Sequence, residues 1–189
     1  MRILVVTLLY PLPDNPVRGV FVEDRVKLLR KLGHDVRVIN PLPRMLRMNE
    51  LRRSTLRGVA NTPKVSTDGE NNIFHPRYIQ FPNNNLLKCT IFSVRRLARK
   101  VEKWLGDWRP EAISCHTLWP VAELAETLSN RWNIPWIATV HGFDFDVGLT
   151  TEIEKHIRRL AGSATRLVTV SSRLADVAKE TGTRSDCEF

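Results

Sequence analysis

Residues 3–40 read ILVVTLLYPLPDNPVRGVFVEDRVKLLRKLGHDVRVIN and contain a complete β–α–β unit. The apolar run 3–9 predicts a first strand that is buried on both faces, and Asp35–Asn40 alternates as a second strand. A helix between Gly19 and Gly33 joins them. Its predicted buried side carries Val22, Val26, Leu29 and Leu32. Two strands joined by one crossover helix indicate an α/β fold.

Length and composition are those of a single globular domain. The chain has 189 residues, 42% of them hydrophobic and 26% charged, which suits one α/β domain and excludes a disordered chain. The net charge of +9 is typical of proteins that meet phosphate-bearing ligands, nucleic acid or anionic membranes. Three cysteines without metal-ligand spacing indicate a reducing, cytoplasmic compartment. We expect neither a signal peptide nor a membrane span.

Three further strands are predicted, at Ala112–His116, Trp136–Val140 and Arg166–Ser171, with helices between them. The clearest helix is predicted at Leu86–Leu105, where apolar residues recur in steps of four and three. We therefore expect a Rossmann-like domain over residues 1–182, with a mostly parallel sheet flanked by helices. Residues 183–189 are expected to form an atypical tail.

Titratable side chains follow two of these strands. His116 ends one strand, His141 follows the next, and Asp144 and Asp146 come shortly after His141. The carboxyl ends of parallel strands meet at one edge of the sheet, which is where ligands bind. This pattern predicts a cleft with His141 at its reactive centre. A polar turn whose aspartate caps the next helix is the structural alternative.

Two basic segments have competing interpretations. Arginines alternate with Met and Leu over residues 44–57, which fits either peripheral contact with the inner face of a membrane or a solvated excursion. The 86–105 helix has a basic outer side without interleaved aromatic residues, so we interpret it as solvated and expect no nucleic-acid binding.

Five pieces of the chain resemble, in the right order, motifs of the N-terminal domain of a family 4 glycosyltransferase, a retaining enzyme of the GT-B type. They are Gly19-Val-Phe21, Leu32-Gly-His-Asp-Val-Arg-Val38, Cys115-His-Thr-Leu-Trp-Pro120, Thr139-Val-His-Gly-Phe-Asp144 and Val168-Thr-Val-Ser-Ser-Arg-Leu174. The resemblance covers residues 1–182, although residues 41–110 contribute little to it. It implies one Rossmann-like half of a two-domain enzyme.

In such an enzyme this domain binds the acceptor, a glycan or a lipid-linked molecule, and a second domain binds the nucleotide-sugar donor. By the resemblance, Gly19 and Val20 lie near the donor diphosphate, although a glycine that only makes a turn is the plainer interpretation of Gly19. Because the resemblance ends near Gly182, we expect these 189 residues to lack the donor-binding domain. We therefore expect either a separate donor-domain subunit or an inactive fragment. A non-catalytic Rossmann-like binding module is the alternative function.

The resemblance also assigns the cleft residues. His141 contacts the transferred sugar or settles the charge that develops on it, and Asp144 orients the neighbouring loop or a hydroxyl. His116 and Trp119 line the acceptor side of the cleft. Asp144 and Asp146 also spell the DxD pattern that holds a metal in another glycosyltransferase class. In this context we expect no metal and no cofactor besides the nucleotide-sugar substrate.

Overall fold

The computed structural model describes residues 1–44, 56–69, 71–81, 86–184 and 186–187. The strands are β1 (Arg2–Thr7), β2 (Asp35–Ile39), β3 (Leu42–Pro43), β4 (Val65–Asp68), β5 (Asn71–Phe74), β6 (Arg77–Tyr78), β7 (Ala112–His116), β8 (Trp136–Val140) and β9 (Arg166–Thr169). The helices are α1 (Val20–Lys31), α2 (Leu87–Arg95), α3 (Leu97–Leu105), α4 (Ala122–Trp132), α5 (Phe143–Asp146), α6 (Glu154–Ser163) and α7 (Ser172–Glu180), with a 3-10 helix at Gly148–Thr150.

Seven strands form one sheet in the order β4-β5-β2-β1-β7-β8-β9. Every neighbouring pair in it is parallel except β4–β5, which is antiparallel and closes one edge. The short strands β3 and β6 pair in parallel just past the carboxyl ends of β2 and β5. The predicted α/β class, with a mostly parallel sheet flanked by helices, is confirmed.

The central strand β1 separates two hydrophobic clusters, because successive side chains of a strand point to opposite faces. Leu4 and Val6 belong to the larger cluster, which the helices from α2 to α4 and α6 cover. Ile3 and Val5 belong to the smaller cluster under α1. Burial on both faces explains why residues 3–9 form a continuous apolar run.

Helix α1 begins directly after Gly19, which has the left-handed backbone conformation (φ 64°, ψ 27°). Val22 and Val26 are fully buried against the sheet, as the periodicity predicts. Leu32 is 65% exposed, so its assignment to the buried side was wrong. It follows the last helical residue, and Gly33 (φ 85°) then turns the chain away from the helical face.

The helix expected at 86–105 is two helices, α2 and α3, separated by Arg96. Arg96 has ψ −18°, closer to a 3-10 turn than to an α-helix, although its N–H still donates to the carbonyl of Phe92. The apolar stripe continues across this tightened turn, and Val94, Ala98 and Val101 are buried in the larger cluster. Periodicity therefore located the packed face correctly and could not reveal the break.

Pro76 predicts that the extended segment 73–78 lies near a sheet edge, with His75 at the surface, but His75 is fully buried. Its Nε2 lies 2.8 Å from Ser66 Oγ, and its Nδ1 lies 3.3 Å from the carbonyl oxygen of Asn40. The expectation failed because Pro76 suggested an edge strand, whereas β4 pairs outside β5 and covers this position. Burial lowers the pKa of His75 to about 4.

The sequence predicts Pro120 as the first residue of the helix after β7, Thr151 as the start of the helix before β9 and Ser172 as the N-cap of the last helix, and all three boundaries differ in the structure by one to three residues. Helix α4 begins at Ala122, so Pro120, which follows a cis peptide bond, is not its first residue. The N-cap of α7 is Ser171 rather than Ser172, and its hydroxyl accepts a hydrogen bond from the N–H of Leu174. Helix α6 begins at Glu154 rather than Thr151.

The beginning of the predicted tail is attached to the domain. The guanidinium of Arg184 donates hydrogen bonds to the carbonyls of Ala161, Ala164 and Thr165 at the end of α6. Of the 44–57 segment, residues 45–55 lie outside the described residues. Among the helices that are described, none is long and apolar enough to span a bilayer.

We predict that Gly19→Ala is far more destabilising than Gly33→Ala. Both glycines have positive φ, but a Cβ at Gly19 would lie 2.4 Å from the carbonyl carbon of Leu9, whereas one at Gly33 meets nothing within 4 Å. We expect a loss of about 3 kcal/mol for Gly19→Ala and about 1 kcal/mol for Gly33→Ala. Urea unfolding of both variants measures the difference, and equal losses would contradict the close approach.

Candidate functional site

The carboxyl ends of β7, β8 and β9 and the start of α1 surround a cavity of about 480 Å³. Its lining residues are Phe21, Arg25, His116, Thr139, His141, Val168, Thr169 and Val170. His116 is the last residue of β7, and His141 directly follows β8, so the sheet brings together two histidines that are 25 residues apart. This confirms the predicted placement of both histidines at one edge.

The two imidazoles are hydrogen-bonded, with His116 Nδ1 3.2 Å from His141 Nε2. Their rings stack at 5.4 Å between centroids, and the ring of Phe21 lies 4.7 Å from that of His141. Burial, followed by the charges of His141 and Arg25, lowers the pKa of His116 to about 3. Burial and then Arg25 lower the pKa of His141 to about 4. Both histidines are therefore neutral at pH 7.

Arg25 is a cavity residue that the sequence patterns did not single out. It belongs to the exposed side of α1, which looks like an ordinary solvated face. The available signal is its spacing of four residues from Phe21, because residues four apart share one face of a helix. Arg25 supplies a positive charge to the cavity wall.

Asp144 is fully buried and does not line the cavity. Its carboxylate accepts hydrogen bonds from the backbone N–H groups of Leu118 (2.9 Å) and Trp119 (3.1 Å). Burial raises the pKa of Asp144 to about 6, and the two hydrogen bonds oppose this shift. The residue thus joins the loop after β8 to the loop after β7.

Asp146 is exposed and accepts hydrogen bonds from the guanidinium of Arg173 at 2.8 and 2.9 Å. The two carboxylates of the DxD pattern therefore have separate partners. Within the described residues, His, Cys, Asp and Glu side chains form no group of three that could hold a metal ion.

The remaining candidates are not lining residues of the cavity. Gly19 and Val20 immediately precede the lining residue Phe21 at the start of α1, but neither is a lining residue itself. Trp119 is 5% exposed and packs against His156 with 5.3 Å between ring centroids. It is not a lining residue of this cavity, so only His116 of the two predicted acceptor-side residues is one.

We predict that Asp144→Ala destabilises the fold and Asp146→Ala does not. Removing Asp144 leaves two buried N–H groups without an acceptor, which costs about 2–4 kcal/mol. Asp146 forms an exposed ion pair, whose loss costs at most about 1 kcal/mol. Thermal and urea unfolding measure the free energy of unfolding of both variants. Similar losses in the two variants would contradict the stabilising role of the buried hydrogen bonds to Asp144.

We also predict that stability falls as the pH drops from about 6.5 towards 4. His75, His116 and His141 have lowered pKa values, so the unfolded chain binds protons that the folded chain does not. The raised pKa of Asp144 acts in the opposite direction, but three histidines outweigh one carboxyl. In the His75→Gln variant, the free energy of unfolding should change less steeply with pH, by at most about 1.4 kcal/mol per pH unit. Urea unfolding between pH 6.5 and pH 4 measures this dependence. The same dependence in the variant and the unmodified protein would show that His75 does not contribute to it.

Comparison with known proteins agrees with this architecture. The model of Glycosyltransferase Family 4 matches residues 19–187. A Bacillus subtilis (strain 168) protein named as a teichuronic acid biosynthesis glycosyltransferase, TuaC, is 32% identical over 184 residues, which are 95% of this chain and 46% of that protein. The chain thus spans less than half the length of this relative.

Solved structures share the fold at low identity. UDP-GlcNAc 2-epimerase from Neisseria meningitidis bound to UDP-GlcNAc has a TM-score of 0.58 at 12% identity. The match covers 100% of this chain and 46% of the epimerase chain. Arabidopsis thaliana UGT89C1 complexed with UDP-L-rhamnose has a TM-score of 0.51 at 13% identity, with coverages of 98% and 49%. The fold is one Rossmann-like half of the GT-B architecture, and the chain belongs to glycosyltransferase family 4.

Proposed function

We propose that this chain forms the acceptor-side half of a site that transfers a sugar from a nucleotide-sugar, with retention of anomeric configuration. The observation that carries the proposal is the cavity at the carboxyl edge of the sheet, where the neutral pair His116–His141 meets the cationic Arg25. Membership of family 4 gives this cavity its chemical context. The same cavity would serve a non-catalytic binding module, and the experiment below separates the two functions.

The histidine pair suits recognition of a sugar hydroxyl. Each neutral imidazole has two nitrogens, and the contact between His116 and His141 occupies one of them on each ring. The other nitrogen of His141 remains for a hydroxyl of the transferred sugar. Because the pKa of His141 is about 4, it would act at pH 7 as a neutral hydrogen-bonding group rather than as an acid.

The leaving group of such a reaction is a nucleoside diphosphate, which needs positive potential. Arg25 supplies one charge, and the N-terminus of α1 contributes the favourable end of its dipole. Gly19 allows the chain to turn tightly into this helix. The structural relatives crystallised with UDP-GlcNAc and UDP-L-rhamnose support a nucleotide-sugar as the donor.

Asp144 acts in this proposal as a positioning residue. It fixes the loop that follows β7 relative to the loop that follows His141, and so sets the shape of the acceptor side. Trp119 lies on that loop and does not line the cavity. It would therefore affect a glycan or lipid-linked acceptor only by setting the position of the loop. We propose a cytoplasmic reaction, because three free cysteines suit a reducing compartment, and a reaction that uses no metal or further cofactor.

The donor-binding half would come from further sequence of the same polypeptide or from a separate subunit. We therefore expect no sugar transfer by the 189-residue chain alone with a UDP-sugar. Joined to the C-terminal half of the Bacillus subtilis relative, the chain should transfer sugar from a UDP-sugar to lipid extracts or glycans. In this joined protein His141→Ala should reduce kcat by roughly 100-fold, because it removes a contact to the transferred sugar.

His34→Ala is the matched control, because His34 lies at the opposite, amino-terminal edge of β2 and should leave kcat unchanged. Proton NMR of the product reads the anomeric configuration, and inversion would contradict the proposed retention. Transfer by the isolated chain would contradict the need for a second half. Sugar binding without transfer in the joined protein would favour the non-catalytic binding module.

A further inference from the structure

Arg18 differs from the other half-buried arginines of the protein. Six arginines among the described residues are half-buried, and five of them donate side-chain hydrogen bonds to oxygen atoms: Arg30, Arg37, Arg77, Arg158 and Arg184. The Nη1 of Arg18 is buried and has no hydrogen-bond partner. Its guanidinium is therefore partly removed from water without a protein acceptor in exchange, which is an unfavourable state for a charged group.

No described carboxylate forms an ion pair with Arg18. Asp14 is the one acidic residue of the loop 10–19, and its carboxylate accepts a hydrogen bond from Asn61 Nδ2 at 3.3 Å. Burial lowers the pKa of the Arg18 guanidinium, and the phenol of Tyr78 opposes this shift. Burial, then Arg77 and then Arg18 lower the pKa of His75. The surroundings of Arg18 are thus a phenol, a neutral imidazole and a second guanidinium.

Arg18 and the histidine cavity lie on opposite sides of β1 at the same edge of the sheet. His75 directly follows β5, and Tyr78 belongs to β6, past the carboxyl ends of β2 and β5. The cavity is at β7, β8 and β9, which follow β1 in the other direction. Because Arg18 affects the pKa of both His75 and Tyr78, its guanidinium lies on their side of β1. Ligands of parallel sheets bind at this carboxyl edge.

The loop that carries Arg18 is held in place by contacts at several points. Leu12 and Asn15 exchange two backbone hydrogen bonds of 3.1 and 2.9 Å, and the N–H of Arg18 donates to the carbonyl of Asn15 at 3.3 Å. Leu12 packs with Leu42 and Val59 in a small hydrophobic cluster. The backbone of Arg18 is therefore positioned before any ligand arrives, which lowers the entropic cost of binding.

We propose that Arg18 is the cation of a second ligand site, on the opposite side of β1 from the histidine cavity, and that this site binds one oxyanionic group, a phosphate or a carboxylate. A guanidinium presents its N–H donors in a plane that matches either group. The bound anion supplies the hydrogen-bond acceptor that Nη1 lacks and the counter-charge that the surrounding side chains do not provide.

The ligand class follows from the position of the site beside the proposed sugar-transfer cavity. We assign the anion to the sugar acceptor, which is then a phosphorylated or lipid-linked molecule or an acidic glycan. This assignment rests on the proposed function, whereas anion binding at Arg18 does not.

The first test measures anion binding by the 189-residue protein through its thermal unfolding midpoint. Sodium chloride is replaced at fixed ionic strength by sodium phosphate or sodium glucuronate, and glucose is the neutral counterpart of glucuronate. We expect the midpoint to rise with an anion and not with glucose, because a ligand that binds only the native state stabilises it. Arg18→Gln should raise the apparent Kd at least about tenfold, since a charged hydrogen-bonding group is lost.

Phosphate also stabilises proteins by exclusion from their surface, so the part of the rise that Arg18→Gln removes is the measure of the site. The same rise in Arg18→Gln and in the unmodified protein, for both anions, would overturn the proposal. The anion with the lower Kd identifies the acceptor. Phosphate indicates a phosphorylated or lipid-linked acceptor, and glucuronate indicates an acidic glycan.

Arg57→Gln is the matched control. Arg57 is exposed, and its carbonyl accepts a hydrogen bond from Asn15 of the Arg18 loop at 3.4 Å, so the variant removes one nearby charge. It should leave the Kd unchanged, as should Arg25→Gln, which removes the cation of the histidine cavity. Equal weakening by Arg18→Gln and Arg57→Gln would overturn the proposal, because binding would then follow total charge. Weakening by Arg25→Gln alone would place the anion in the histidine cavity and overturn it as well.

The unliganded protein gives an independent test. In chloride, Arg18→Gln should unfold at no lower temperature than the unmodified protein, because it removes a partly buried charge that has no partner. Arg30→Gln should unfold at a lower temperature, because it removes the ion pair with Asp68 at 3.3 Å. Equal losses in the two variants would show that the Arg18 guanidinium already has a stabilising partner within the protein, against the proposal. None of these measurements uses sugar transfer, so their failure is distinguishable from failure of the proposed function.

Discussion

The backbone N–H groups of Leu118 and Trp119 converge on the buried carboxylate of Asp144, and this contact joins the loops that follow β7 and β8. His116 ends β7 immediately before the first of these loops, and His141 begins the second, so the alignment of the two histidines depends on the contact of Asp144. The carboxylate is held at a cost, because burial disfavours its charge, and the two hydrogen bonds offset only part of that cost. The site is thus organised by a group that is itself outside the cavity.

Much of the fold could be predicted because its signals are local. The continuous apolar run of β1 and the buried positions of α1 and α3 follow directly from side-chain spacing. The edge at which His116 and His141 meet follows from topology, since parallel strands joined by helices must place their carboxyl ends together. Neither inference requires knowledge of which side chains are in contact in the folded protein.

The remainder depends on contacts between distant residues. His75 is buried by β4, a strand too short and polar to be weighed from sequence. The partners of Asp144 are 25 and 26 residues away, and no spacing rule predicts them. Arg25 resembles any solvated residue of an amphipathic helix until the neighbouring strands are in place.

The hydrogen bond between His116 and His141 also restricts the pair as a unit. Between two neutral imidazoles, one nitrogen must carry the hydrogen and the other must not. If His116 Nδ1 carries it, the hydrogen of His141 is on Nδ1, and this ring presents a donor beyond the pair. If His141 Nε2 carries it, the same Nδ1 is an acceptor. The tautomer of the deeply buried His116 therefore determines whether His141 donates to a ligand or accepts from it.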